Sequence, residues 1–398
     1  MPFDREFKNP ALILGGELAG LQAARILGKR GVAVYVFASY PKNVALASRY
    51  CKRKRVISGP WDCDALKKML KETARATSKR LVVYPVSDEL ALNLSIIKDD
   101  LPDDFCFAVG DRHAVETLIN KRKFYQLLSK NKIAYPVTYF PDDLADADRI
   151  ASEISYPIFI KPSYVHLFHK AFGYEKKGFV ANSREELLKY YRLVSSFNVD
   201  VVFQRIVSGP PSLFCQLEGF YNRNSEPLIL FGRRAVRIWP LDFGNTTLCS
   251  SISLSDLVKE IEEIDEFLKS IKYNGMMSVD FKRDPLNGKL QLLEINTRLW
   301  MHFWLPTICG VDILFASYLD ALGEKVESSQ EYTTDIKSID FISDLKSAAK
   351  MIRLRKLGFS EYTSSLMGKK VFAYYDRKDI RPFIHFYLKE AFKFFKRR

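Results

Sequence analysis

The chain has 398 residues, 47% of them apolar, and a formal net charge of +14, which predicts two or three globular domains with ample core and excludes a disordered chain. No apolar run approaches the roughly 18 residues a membrane span needs, and Met1–Pro10 is too polar, with Ala11–Gly16 too short, for a secretory leader. Six cysteines without a CxxC pair read as reduced thiols of a cytosolic protein, not as a disulfide framework or a zinc site.

Ala11–Leu14, then GGELAGLQAARILGKRG, then VAVYVF read as strand, glycine turn, helix and strand, a βαβ unit of a parallel sheet. Gly15, Gly16 and Gly20 do not have GxGxxG spacing, and Ser39 and Tyr40 stand where a dinucleotide site would put an acid. A structural or substrate-side Rossmann-like domain is therefore expected. Further strands are expected at Arg55–Ile57 and Leu81–Pro85. The second runs into Ser87-Asp88-Glu89, at the strand end where open α/β sheets place ligands.

Near Asp111 the pattern changes. Helices are expected over Ala114–Ile119 and Lys121–Lys130, the latter opening on the basic run Asn120–Lys123. The apolar strand after Tyr156 ends in Lys161 and Pro162, and a lysine closing such a strand is costly to bury unless it meets an anion. Gly178–Ala181, a helix capped by Asn182 or Ser183, and Val199–Gln204 complete a small β-β-α-β unit. Its mobile loop, Ser163–Lys177, carries Lys170, Lys176 and Lys177 and suits a lid. His166 and His169, in the same loop without a neighbouring ligand cluster, read as solvated.

Phe214–Tyr221 and Pro227–Phe231 read as strands, and Gly232–Pro240 puts Arg233 and Arg237 on one face and Arg234 on the other. After a helix over Ser255–Ile271, MMSVDFKRDPLNGKLQLLEINTR forms a hairpin with its turn at Asp284, Pro285, Asn287 and Gly288. A three-residue loop with Gly288 left-handed pairs residue 285 with 289 and sets Asp280 opposite Glu294, with Asn296 on the same face. Taken alone this is either a wet surface hairpin or an oxygen-ligand set for Mg²⁺. Arg298, Trp300, His302 and Trp304 are expected to continue the strand toward a substrate.

The order of these pieces resembles the ATP-grasp superfamily, and within it carboxylate–amine ligases that look like D-aspartate ligases and carbamoyl-phosphate-synthase-like proteins, from about Ala11 to Glu324. The resemblance implies an N-terminal Rossmann-like domain (1–112), an ATP-grasp domain (113–325) with a small α/β lid (about 156–204) on a mixed, largely antiparallel ATP-binding sheet, and a helical, basic C-terminal extension (326–398). It further implies ATP and Mg²⁺, or Mn²⁺, as cofactors, and small-molecule carboxylate and amine substrates. Lys121 and Lys161 would contact the nucleotide phosphates, and Gln204, Arg205, Ile206 and Val207 would line the adenine slot. Asp280, Glu294 and Asn296 would hold the metal, while Arg298 and one of Arg234 or Arg237 would face the transferring phosphoryl group or the substrate carboxylate. Arg205 stands where the pattern often has glutamate, Thr297 replaces the proline of EINPR, and the lid loop is poor in glycine. Competing readings keep the fold but use a thiol acceptor, stop at phosphate transfer, or make the chain a nucleotide-binding scaffold.

Residues 346–398 hold 15 Lys or Arg and 4 Asp or Glu, so most of the net charge lies there. Pro382–Arg398 puts Phe383, Ile384, Tyr387, Leu388, Ala391, Phe392 and Phe395 on one helical stripe, widened by Phe386 and Phe394, with lysines opposite. Such a helix suits either the inner face of an anionic membrane, with a lipid-linked or envelope-precursor substrate, or packing on the protein's own body. Nucleic-acid binding has no recognisable module to support it.

Overall fold

The computed structural model describes residues 7–396 apart from Ser78, Pro102 and Glu175; for Lys389 and residues 391–396 it describes the backbone alone. The first layer comprises β1 (Phe7–Leu14), α1 (Leu18–Lys29), β2 (Val32–Ala38), β3 (Cys51–Val56), α2 (Cys63–Thr77), β4 (Leu81–Pro85), α3 (Asp88–Ile97) and β5 (Phe105–Phe107). These strands form a parallel sheet in the order β3-β2-β1-β4-β5. The β1–α1 turn depends on two glycines. A Cβ on Gly15, whose φ is +123°, would fall 1.8 Å from Val86 Cγ2, and one on Gly20 would fall 2.2 Å from the Gly15 carbonyl oxygen. Here the glycines let the helix start close against the sheet.

Next come α4 (Arg112–Ile119), α5 (Lys121–Lys130), β6 (Thr138–Tyr139), α6 (Leu144–Glu153), β7 (Ile158–Pro162), α7 (Val165–Phe172), β8 (Phe179–Ala181), α8 (Arg184–Ser195) and β9 (Val201–Arg205). The four strands form an antiparallel sheet, β6-β9-β7-β8, so the small unit includes β6 and α6 ahead of Tyr156. The basic stretch after Pro162 is not simply a loop. Phe168 and Phe172, four residues apart, both pack on Phe179 at centroid distances of 5.6 and 5.4 Å, and that buried edge makes the segment helical as α7.

The large layer contains β10 (Phe214–Tyr221), β11 (Pro227–Trp239), β12 (Asn245–Ile252), α9 (Val258–Ser270), β13 (Gly275–Arg283), β14 (Leu290–Asn296), α10 (Trp304–Cys309), α11 (Ile313–Ala321), β15 (Lys337–Ile339), α12 (Phe341–Arg353), α13 (Phe359–Ser365), β16 (Lys370–Phe372) and α14 (Arg381–Lys396). Its sheet runs β14-β13-β10-β11-β12-β15-β16. The C-terminal segment is thus built into the fold and adds two strands to the helices expected of it. At its other end, the Asp379 carboxylate accepts from Arg25 Nε at 3.0 Å, Ser48 Oγ at 2.7 Å and the Arg49 N–H at 2.8 Å, fastening the segment to α1 and the first sheet. One apolar core runs from that sheet through Trp300 and Phe303 to the large one. Among the described residues no helix is long and apolar enough to cross a membrane.

Candidate active site

Asp280 and Glu294 are register partners, as the sequence predicts, but they meet by another route. The turn closes with the Asp284 N–H on the Lys289 carbonyl and the Gly288 N–H on the Asp284 carbonyl, both at 2.8 Å, and Gly288 is left-handed at φ +72°. That turn pairs Arg283 with Leu290, one residue away from the required register. An irregularity at Leu293 restores it. The unpaired Leu293 carbonyl then accepts from Tyr125 Oη at 2.6 Å and from Lys161 Nζ at 3.1 Å.

Three lysines from separate parts of the chain act on Glu294. Lys121 begins α5, directly after the Asn120 cap, and places its buried Nζ 3.1 Å from Glu294 Oε2. Lys161 reaches in from β7 and also donates to Tyr125 Oη at 2.9 Å. Lys177, from the connection between α7 and β8, donates to Asn245 Oδ1 at 2.9 Å and adds its field at Glu294 and Asp280. Burial pushes the Lys161 ammonium group below its ordinary pKa, and the two carboxylates resist that shift.

The carboxyls themselves respond in opposite directions. Burial would raise Glu294, but Lys121 and then Lys161 hold it well below the usual carboxylate range. Asp280 is pushed up to about 6, first by burial and then by the Glu294 charge, with Arg233 and Gln216 pulling the other way. Asn296 turns Nδ2 toward both carboxylates, at 3.3 Å from Asp280 and 3.5 Å from Glu294. Its Oδ1 accepts from Arg298 Nη2 at 2.9 Å, and Arg298 Nε donates to Asp88 at 3.0 Å. The cluster is thereby joined to the carboxyl end of β4.

The other arginines lie elsewhere. Arg237 forks onto Asp344 at 2.8 and 2.9 Å, fully buried, and Arg234 reaches Asp256 at 3.4 Å on the surface, so the structure brings neither to the cluster. Irregular pairing between Ala235 and Arg237 breaks the alternation on which their expected faces depended. Arg233 is instead in the row that continues from Glu294 and Asp280 through Gln216, and it is ion-paired with the buried Glu218. Arg233 Nη1, Glu218 Oε2 and Gln216 Oε1 are buried without a hydrogen-bond partner among the described residues. This polar patch beside the carboxylates was hidden in the sequence because it depends on the register of β10.

Gln204 Oε1 accepts from Tyr125 Oη at 3.4 Å, which ties it to the lysine network. Arg205 is ion-paired to Asp284 in the hairpin turn, Ile206 is half-buried, and the Val207 carbonyl accepts from Lys282 Nζ at 2.7 Å. His302, expected on a continuing strand, is left-handed at φ +66° and buried, bonded to Ser338 Oγ and the Thr246 carbonyl at 2.8 Å each. The strand ends at Asn296 and Trp304 opens α10. His166 and His169 are on α7, half-buried rather than solvated, and His166 Nδ1 and His169 Nε2 have no hydrogen-bond partner among the described residues. Lys170 ties this helix to Glu89 at 2.7 Å, and Phe159 stacks on Phe243 at 4.5 Å, so the small sheet rests on both larger layers.

The donor set fits a hard divalent cation. Two carboxylates converge, bridged by Asn296 Nδ2, while the Asn296 Oδ1 is taken by Arg298. Among the described residues no cluster of three or more His, Cys, Asp or Glu side chains occurs, so a cation here would rely on two carboxylates and on oxygens from a substrate, the usual arrangement for Mg²⁺.

Lysines from a helix, a strand and the α7–β8 connection thus gather about the acidic hairpin. No family model matches the chain. It is 24% identical over 292 residues to D-aspartate ligase of Enterococcus faecium (strain Aus0004), covering 69% of this chain and 68% of that one. To the mitochondrial propionyl-CoA carboxylase alpha chain of Mus musculus it is 26% identical over 280 residues, but it spans only 36% of that protein. The biotin carboxylase domain of Hydrogenobacter thermophilus 2-oxoglutarate carboxylase, solved with MgADP, ADP and bicarbonate, superposes with a TM-score of 0.64 at 17% identity, covering 83% of this chain and 73% of that one. N5-carboxyaminoimidazole synthetase from Staphylococcus aureus gives 0.63 at 15% identity, covering 83% and 82%. The chain has the fold of these ATP-grasp proteins.

Proposed function

We propose that the chain is an ATP-dependent, ADP-forming ligase that activates a carboxylate as an acyl phosphate and joins it to an amine. The observation that carries this reading is that Lys121 and Lys161 gather at the hairpin that pairs Asp280 with Glu294, Lys121 on the Glu294 carboxylate and Lys161 on the neighbouring Leu293 carbonyl, each at 3.1 Å. Likeness to D-aspartate ligase supports the carboxylate–amine class.

A carboxylate does not react with an amine at neutral pH, because its leaving group would be oxide. In the first step a carboxylate oxygen attacks the γ-phosphorus of ATP and ADP leaves. In the second the amine nitrogen attacks the acyl carbon, phosphate departs with the former carboxylate oxygen, and the nitrogen loses a proton. This demands positioning and charge neutralisation rather than a protein nucleophile. Lys121 and Lys161 would offset phosphate charge, and Gln204–Val207 would border the base. Arg298, fixed by Asp88 and Asn296, would face the transferring group. Asp280, Glu294 and Asn296 would hold Mg²⁺ or Mn²⁺, which when bound supplies charge neutralisation among phosphate oxygens. The small sheet with α7 would exclude water from an easily hydrolysed intermediate.

The proposal extends to a cytoplasmic setting and to amino-acid-derived, envelope-precursor or lipid-linked substrates, with peripheral contact at the inner face of a membrane. Six free cysteines and the basic C-terminal segment support it. Incubation with MgATP and pools of amino acids and cell-wall precursors tests the chemistry. ADP formation should require both a carboxylate and an amine, and an oxygen-18-labelled carboxylate should pass one label to phosphate; ADP formation indifferent to every carboxylate would contradict it.

A further inference from the structure

The apolar stripe of α14 divides. Phe386 stacks on Tyr374 at 3.7 Å and Phe383 meets Tyr375 at 5.5 Å, while Ile384 and Leu388, one turn apart, are 48% and 55% exposed. Beside these two, α14 and the edge strand β3 border adjoining open grooves of about 390 and 600 Å³. Their walls bring Arg49, Lys54, Arg55, Arg381 and His385 together with Ile384 and Leu388. On β3 itself Lys52, Arg53, Lys54, Arg55 and Val56 are all exposed.

Lysine and arginine on an edge strand ordinarily guard against strand-to-strand association. That role does not account for Ile384 and Leu388, which add exposed apolar surface next to the charge. Acidic groups that could neutralise the surface are turned inward or committed. Asp379 is held by Arg25, Ser48 and Arg49, Asp376 by Lys29, and Glu390 reaches Lys346 at 3.2 Å. Glu72, half-exposed, reaches Arg55 at 3.2 Å.

We propose that β3 and α14 together form a docking surface for a bilayer that carries anionic lipids. Ile384 and Leu388 enter the boundary between headgroups and acyl chains, while Arg49, Lys54 and Arg381 meet the headgroups. Open grooves that mix cationic and apolar walls match a layered surface better than a single small anion. The β3 contribution distinguishes this surface from a C-terminal helix acting alone; the proposal rests on the membrane contact proposed above and is independent of the ligase chemistry.

The test is co-sedimentation of the full chain with vesicles of phosphatidylcholine alone and of equimolar phosphatidylcholine and phosphatidylglycerol, at low and high salt. The chain should partition onto the anionic vesicles only, and high salt should release it. Two exposed double variants, with thermal melts to verify folding, locate the contact. Lys54→Glu with Arg381→Glu should weaken partitioning by about tenfold or more, since each cation near such a surface is worth roughly fivefold. Ile384→Asp with Leu388→Asp should abolish it. Failure of the unaltered chain to bind anionic vesicles, or equal binding by either folded double variant, overturns the proposal.

Discussion

Asp280 and Glu294 face each other across β13 and β14, yet the fold drives their carboxyls in opposite directions. Asp280 is raised to about 6, so its contribution to stability is complete below its unfolded value near 4 and is lost as pH rises through about 6. Glu294 is depressed, so its contribution is present above the ordinary glutamate range and is lost only in strong acid. In metal-free protein at neutral pH, Asp280→Asn should therefore stabilise by about 1–2 kcal/mol, visible as a small rise in Tm that shrinks as pH falls from about 6 and is gone below about 4. The same variant should lose the stabilisation by Mg²⁺ and nucleotide that the unaltered chain shows.

Lys161 holds three elements together through Tyr125 and the Leu293 carbonyl. Lys161→Met keeps the stem but removes the charge. Nucleotide affinity in a calorimetric titration should fall by roughly 1.5–3 kcal/mol, the range for a charge-assisted hydrogen bond, while the circular dichroism spectrum stays unchanged.

Arg237→Ala should damage the fold rather than the chemistry. It strands the buried Asp344 carboxylate and frees α12 from β11, at a cost of about 3–5 kcal/mol. A melt should show the loss, and the protein that remains folded should bind nucleotide as before. A folded Arg237 variant with normal Tm and no nucleotide binding would return this arginine to the site.

Much of the site was legible because its signals are local. A lysine after an apolar strand, a capped helix opening on Lys121, and Glu294 and Asn296 two apart on one hairpin strand reflect strand alternation and capping, which one chain reveals. What stayed hidden depends on distant partners. The register of Asp280 was reached from a turn that does not form, because the irregularity at Leu293 compensates for it. Arg233 could be separated from Arg237 only once β10 and the break near Ala235 were placed. His166 and His169 read as solvated because nothing local signals that Phe168 and Phe172 would bury one edge of α7. For the C-terminal helix the sequence left a membrane face and the protein's own body both open, and the distant partners of Asp344 and Asp379, more than a hundred positions away, are what anchor the segment.

The central claim is that the β13–β14 hairpin and its lysines form a magnesium–nucleotide site, and equilibrium binding of ADP with and without Mg²⁺ to the unaltered chain and to Glu294→Gln tests it most directly. One nucleotide should bind per chain in the presence of Mg²⁺, with the Mg²⁺ dependence lost and affinity reduced by at least about tenfold in the variant, as loss of a buried charge partner requires. No binding by the unaltered chain, or equal Mg²⁺-dependent binding by a folded Glu294→Gln variant, would contradict the account.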